Sequence, residues 1–222
     1  MEEKNKAIEE PKETWWKGPI KYIVAFFLIM ILILWIFPSY GVKLDPNPKV
    51  IPKIDEVVPT EVVFINNTSL DRKENIARYV KPEDPIIKYI ATKIASLSCG
   101  NSRICQAKAI YYFVRDNLDY IADPVGKEFV EHPLQTISSG GGDCESGSVV
   151  LASLEEAIGI DSQLVLIEGH AYVRILLPEA LSRYKIKKGE DWIYLDWTCK
   201  RCEFGEIPPK NLRKKAYYVE VP

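Results

Sequence analysis

The apolar positions divide the chain into three regimes. From Tyr22 to Val42 there is no charged residue, and Tyr22 through Phe37 is almost wholly apolar. Twenty-one helical residues rise about 31 Å, the thickness of a hydrocarbon core, so this run predicts a single membrane span. Trp15 and Trp16 precede it, and Trp35 and Tyr40 lie at its far end, as interfacial aromatic anchors would. The run is too long for a signal peptide, and no small-residue cleavage site follows it. A buried core helix rarely lacks a polar face over such a length. Residues 1–21 are polar and read as a disordered tail. Asp45-Pro46-Asn47-Pro48, Ile51-Pro52 and Pro59 predict an extended proline-rich linker over residues 43–68, with little capacity for helix.

Beyond residue 69 the pattern becomes helical. Asp84 followed by Pro85 is an N-cap with proline at the first helical position, and predicts a helix to about Leu97. Ser102 caps a second helix to about Leu118, with Ala107, Ile110, Tyr111, Val114 and Leu118 on one face. A third begins at Cys144, carries Val150, Leu151, Leu154, Ala157 and Ile158 on one face, and ends at Gly159. The pattern then changes to strands: Leu164–Ile167, Ala171–Leu177, Trp192–Trp197 and Tyr217–Val221. His170, Tyr172 and Arg174 share one face of their strand, and Trp192, Tyr194 and Asp196 share a face of theirs. Helices first and strands second predict an α+β domain over residues 69–222, with an antiparallel sheet packed on the helix that begins at Cys144.

Composition adds limits rather than elements. With 47% apolar and 27% charged residues, the chain can bury a core. A formal net charge of −2 gives no electrostatic footprint for nucleic acid, which is excluded as a partner. Lys200, Arg201, Lys210, Arg213, Lys214 and Lys215 make the C-terminal end locally basic; with Glu203, Glu206 and Glu220 among them they read as a solvated face. Lys4, Lys6, Lys12, Lys17 and Lys21 precede the apolar run, against Lys43, Lys49 and Lys53 after it, a modest bias toward an extracytoplasmic C-terminal domain. Asn66-Asn67-Thr68-Ser69 holds two overlapping glycosylation sequons, usable only on that side.

The chemistry concentrates at Gly140-Gly141-Gly142-Asp143-Cys144, where a glycine run delivers a thiol to a helix N-terminus. The dipole and backbone N–H groups there stabilise a thiolate, and the glycines let the chain turn sharply and leave the sulfur uncovered. His170 begins one strand and Asp196 ends another; if those strands pair antiparallel, the two side chains come within hydrogen-bond reach. A thiol, an imidazole and a carboxylate in that order suit acyl chemistry at sulfur. Each has a structural alternative: a buried cysteine, a core histidine, a strand-end aspartate. A phosphate-binding loop at the glycines lacks the lysine and hydroxyl it needs.

Gly142-Asp143-Cys144, Gly169-His170-Ala171-Tyr172 and Trp192-Ile193-Tyr194-Leu195-Asp196-Trp197-Thr198 resemble the transglutaminase-like family, over roughly residues 105–200. The resemblance implies a papain-like fold, with Cys144 as nucleophile, His170 as general base and acid, and Asp196 as its orienter. Family members cross-link proteins, cut peptides, release glycans or act as inactive scaffolds. Tyr172 occupies a usual tryptophan position, and Trp197 a frequent proline position. The expectation is a membrane-anchored enzyme acting on a protein or peptide, by hydrolysis rather than cross-linking; a non-catalytic binding module is the rival. The Cys144 N–H is the default oxyanion donor, and Gln135 a weaker one that fits a surface turn better.

Four more cysteines remain. Cys99 and Cys105 flank a turn between helices, and Cys199 and Cys202 follow the aspartate strand. Two disulfides, a four-cysteine zinc site or separate thiols all fit, and an outside location favours disulfides. Either cross-link is expected to clamp the loop after Asp196 to the chain before the Cys144 helix. No other cofactor is implied.

Overall fold

A computed structural model describes residues 18–59, 73–124, 129–187 and 189–222. Trp15, Trp16, most of the N-terminal lysines, the sequons and the expected domain start near Ser69 lie outside them. The chain divides into two units, Met1–Leu44 and Asp45–Pro222.

In the first unit, helix α1 (Ile20–Leu44) contains the whole expected span. It is long and apolar enough to cross a membrane, and nothing in Ile20–Phe37 is buried against protein. Phe26, Leu28 and Trp35 are exposed along it.

The second unit mixes helices with an antiparallel sheet, as expected. It comprises α2 (Ile54–Val57), a 3₁₀ turn at Lys73–Tyr79, α3 (Pro85–Ser98), α4 (Arg103–Asn117), β1 (Asp119–Tyr120), α5 (Pro133–Ser139), β2 (Gly141–Gly142) and α6 (Cys144–Ala157). There follow β3 (Ser162–Ile167), β4 (His170–Leu176), β5 (Trp192–Leu195), α7 (Pro209–Leu212) and β6 (Tyr217–Glu220). The sheet runs β5-β4-β3-β6, antiparallel throughout. The caps act as read: Asp84 Oδ1 accepts from the Ile86 N–H at 2.8 Å, and Ser102 Oγ from the Cys105 N–H at 3.4 Å.

Helix α6 is the axis of the fold. The sequence suggested one apolar face, but every side from Glu145 to Glu155 is buried, because α3, α4 and α5 pack on it opposite β3 and β4. Its small polar residues satisfy themselves within the helix: Ser148 and Ser153 hydroxyls donate to the Cys144 and Val149 carbonyls, each at 2.7 Å. Leu164, Val173, Ile175, Ile193 and Leu195 meet this core from the sheet. Tyr172, Tyr194 and Val165 form a smaller cluster on the sheet's other face.

The linker expected over 43–68 needs correction. From Asp45 to Pro59 the chain is packed on the globular unit, and Val57 is fully buried. The cause is Lys108, an ammonium buried within α4 that requires partners. Asp45 Oδ1 accepts from its Nζ at 2.5 Å and Asn47 Oδ1 at 2.8 Å, while Arg183 and Tyr184 also bond to Asp45. Burial pushes the Asp45 carboxyl up, but these donors outweigh it and hold it below its ordinary value. The prolines prevent helix here, yet the same stretch supplies the acceptors a buried cation needs.

Candidate active site

Cys144 is placed by local geometry. Helix α5 ends at Gly140, left-handed at φ 72°, a conformation that favours glycine. Gly141 and Gly142 then run extended as β2, parallel to β1, with the Asp119 and Ile121 N–H groups donating to the Gly140 and Gly142 carbonyls at 2.8 Å. These two glycines are required by space rather than by a sharp turn. A Cβ on Gly141 would lie 2.8 Å from the Asp119 carbonyl oxygen, and one on Gly142 2.9 Å from Thr136 Cγ2. Asp143 caps α6, its Oδ1 accepting from the Ser146 N–H at 2.7 Å, and Cys144 opens the helix half-buried. A thiolate there meets the positive end of a 14-residue dipole.

His170 and Asp196 are joined by strand pairing. The β4–β5 register sets Val173 opposite Leu195 and Leu176 opposite Trp192, so the start of β4 lies beside the chain leaving β5. His170 Nε2 is 2.9 Å from Asp196 Oδ2. Asp196 is fully buried, and its other partners hold it in place: Oδ2 also accepts from Asn211 Nδ2 at 3.1 Å, and Oδ1 from Thr198 Oγ1 at 2.7 Å. Burial alone would raise its pKa; the bonds from His170 and Thr198 reverse the sign, and the carboxyl sits below its ordinary value. With Nε2 committed to Asp196, Nδ1 is the imidazole nitrogen left for a proton acceptor or donor.

Trp197 locks the two halves together. Its Nε1–H donates to the Cys144 carbonyl at 3.4 Å, and its ring lies on Gly147 so closely that a Cβ there would be 2.1 Å from it. Tyr120 stacks 6.4 Å from Trp197. Burial first, and then the negative charges of Cys144 and Asp143, push the Tyr120 hydroxyl above its ordinary value. Tyr120 also lines a cleft of about 470 Å³ with His170, Asp196 and Thr198.

Other residues fall elsewhere than expected. Gln135 is on α5, not in a surface turn. His132 caps that helix, its Nδ1 accepting from the Leu134 N–H at 3.3 Å, and burial holds its pKa down. Asn211, the partner of Asp196, escaped the sequence reading because an asparagine amid lysines carries no signal. Cys99–Cys105 and Cys199–Cys202 are two separate disulfides, and among the described residues no group of three or more His, Cys, Asp or Glu converges as a metal site. The expected clamp across the fold is therefore not a cysteine link. The Tyr111 hydroxyl and Arg115 supply it, donating to the Cys202 carbonyl at 3.0 and 2.8 Å, while Lys200 reaches the Arg115 and Leu118 carbonyls.

A helix carrying Cys144 on a sheet carrying His170 and Asp196 defines the papain-like class of α+β fold. Residues 90–197 match the model of the transglutaminase-like superfamily. No curated protein matches the chain. Among solved structures, a candidate cysteine protease from Cytophaga hutchinsonii is similar at 16% identity and a TM-score of 0.41, over 75% of this chain. The chain spans 50% of that protein's length.

Proposed function

We propose that the protein is a membrane-anchored thiol enzyme that cuts amide bonds through an acyl group on Cys144. The hydrogen bond between His170 Nε2 and Asp196 Oδ2, where β4 starts beside the chain leaving β5, is the observation that supports it most. The Cys144 thiolate attacks the amide carbonyl carbon. His170, as imidazolium, gives its Nδ1 proton to the departing amine, and a thioester remains. Neutral His170 then takes a proton from water, whose oxygen attacks the thioester; the carboxylic acid leaves, and Cys144 and His170 regain the starting ion pair. Asp196, held ionised, keeps the proton on Nε2 and stabilises the imidazolium. Water as acceptor asks for no second binding site, which favours hydrolysis over transfer. Helix α1 supports the anchor, and the two disulfides fit an oxidising compartment.

Alkylation by iodoacetamide at pH 6, read by intact mass, tests the thiol. Wild type is expected to react at Cys144 about 100-fold faster than His170→Ala, since an ordinary thiol is barely ionised there. Equal, slow rates in both would favour a non-catalytic binding module.

A further inference from the structure

The basic residues near the C-terminus read from sequence as a solvated face, but the fold sets four of them, Lys210, Arg213, Lys214 and Lys215, along two adjoining recesses at and beside the candidate site. Lys210 and Lys214 line the cleft that holds His170 and Tyr120. Asn211, between them in sequence, is turned inward onto Asp196, which fixes α7 at this edge. A second cavity of about 980 Å³ shares Gly169 and Lys214 with the first, and adds Arg213, Lys215, Leu166 and Tyr217. The two recesses therefore run on from His170 as one cationic path with an apolar wall.

Little on the protein compensates this charge. Lys214 Nζ donates to the Glu168 backbone carbonyl at 2.6 Å, a neutral acceptor, and Lys215 Nζ lies over the Tyr217 ring at 5.1 Å. Among the described residues none of Lys210, Arg213, Lys214 and Lys215 forms an ion pair with a carboxylate. The carboxylates nearby are Asp196, buried and occupied by His170, Thr198 and Asn211, and the Glu168 side chain. A concave path beside an imidazole suits an extended chain better than a flat lipid surface does.

We infer that this path selects an acidic polypeptide segment, seating carboxylate side chains on Lys210, Lys214 and Arg213 and an apolar one against Leu166 and Tyr217. The inference rests on the thiol-enzyme reading for its purpose, since it names the substrate class of that site.

The test uses the full chain in neutral detergent micelles, in a Cys144→Ala background so that nothing is consumed. The probes are a fluorescein-labelled octapeptide of alternating glutamate and tyrosine and its glutamine counterpart, read by anisotropy. The glutamate peptide is expected to bind about tenfold tighter at 50 mM salt, and the preference to shrink at 0.5 M. Lys210→Gln/Lys214→Gln should abolish the preference. Lys88→Gln/Lys93→Gln, which removes the same charge from α3, should retain it. Equal binding of the two peptides overturns the inference, as expected if these residues serve an anionic membrane surface instead. A preference that survives Lys210→Gln/Lys214→Gln overturns it too. Binding does not involve the thiol, so these outcomes are independent of the iodoacetamide result.

Discussion

The thiol side and the imidazole side of the candidate site are built by different physics. Cys144 is set by its neighbours in sequence: Gly140 ends α5, Gly141 and Gly142 fit a gap without side chains, and Asp143 starts α6. His170 and Asp196 are 26 residues apart and meet through strand register, and Asp196 is then held by Asn211 from yet another segment. The first side is mostly local, a capped helix whose glycine approach pairs with β1. The second exists only when the whole sheet has formed, so damage to it should be more cooperative.

The joint between the two sides offers the largest test. Gly147→Ala would drive a methyl into the Trp197 ring, with backbone on one side and an indole on the other. A loss of about 3 kcal/mol is expected by urea unfolding, with iodoacetamide reactivity of Cys144 falling alongside. Retained stability would mean that the two sides are not rigidly joined.

A smaller effect isolates the imidazole side. Asn211→Ala removes one donor from a buried carboxylate and should cost about 1.5 kcal/mol at pH 7. Its pH dependence follows from the depressed pKa of Asp196. The stabilisation is present above the ordinary carboxylate value and is lost as pH falls through the folded-state value, so the difference between wild type and variant should narrow in acid. Urea midpoints between pH 7 and pH 3 check this; a difference that stays constant would place the cost elsewhere.

The smallest effect belongs to the thiol side. Asp143→Ala removes the cap of α6 and should cost about 1 kcal/mol, read by thermal unfolding. Since the change is local, the pH profile of stability assigned to Asp196 should be unaltered.

The same contrast explains what the sequence could reveal. α3, α4 and α6 were legible from caps and apolar spacing, and β3 to β6 from alternation. Cys144, His170 and Asp196 were legible as residues because each sits at the end of an element whose boundary the sequence marks. Helix α5 was missed although Pro133 at its first position was a usable sign. β1 and β2 have two residues each, too few for any period. Asp45 was read as linker because proline-rich sequence looks like one until a buried charge 63 residues away, Lys108, calls on it. The cysteine pairs were expected to bridge across the fold, but their short spacings already allow Cα separations of 5.9 and 5.3 Å within each loop.

The contact between Gly147 and Trp197 also bears on how such chains can diverge. An indole resting on bare helix backbone leaves room for neither partner to change alone. Related chains with a side chain at position 147 should therefore carry a smaller residue at position 197, and the two positions should drift as a pair across lineages.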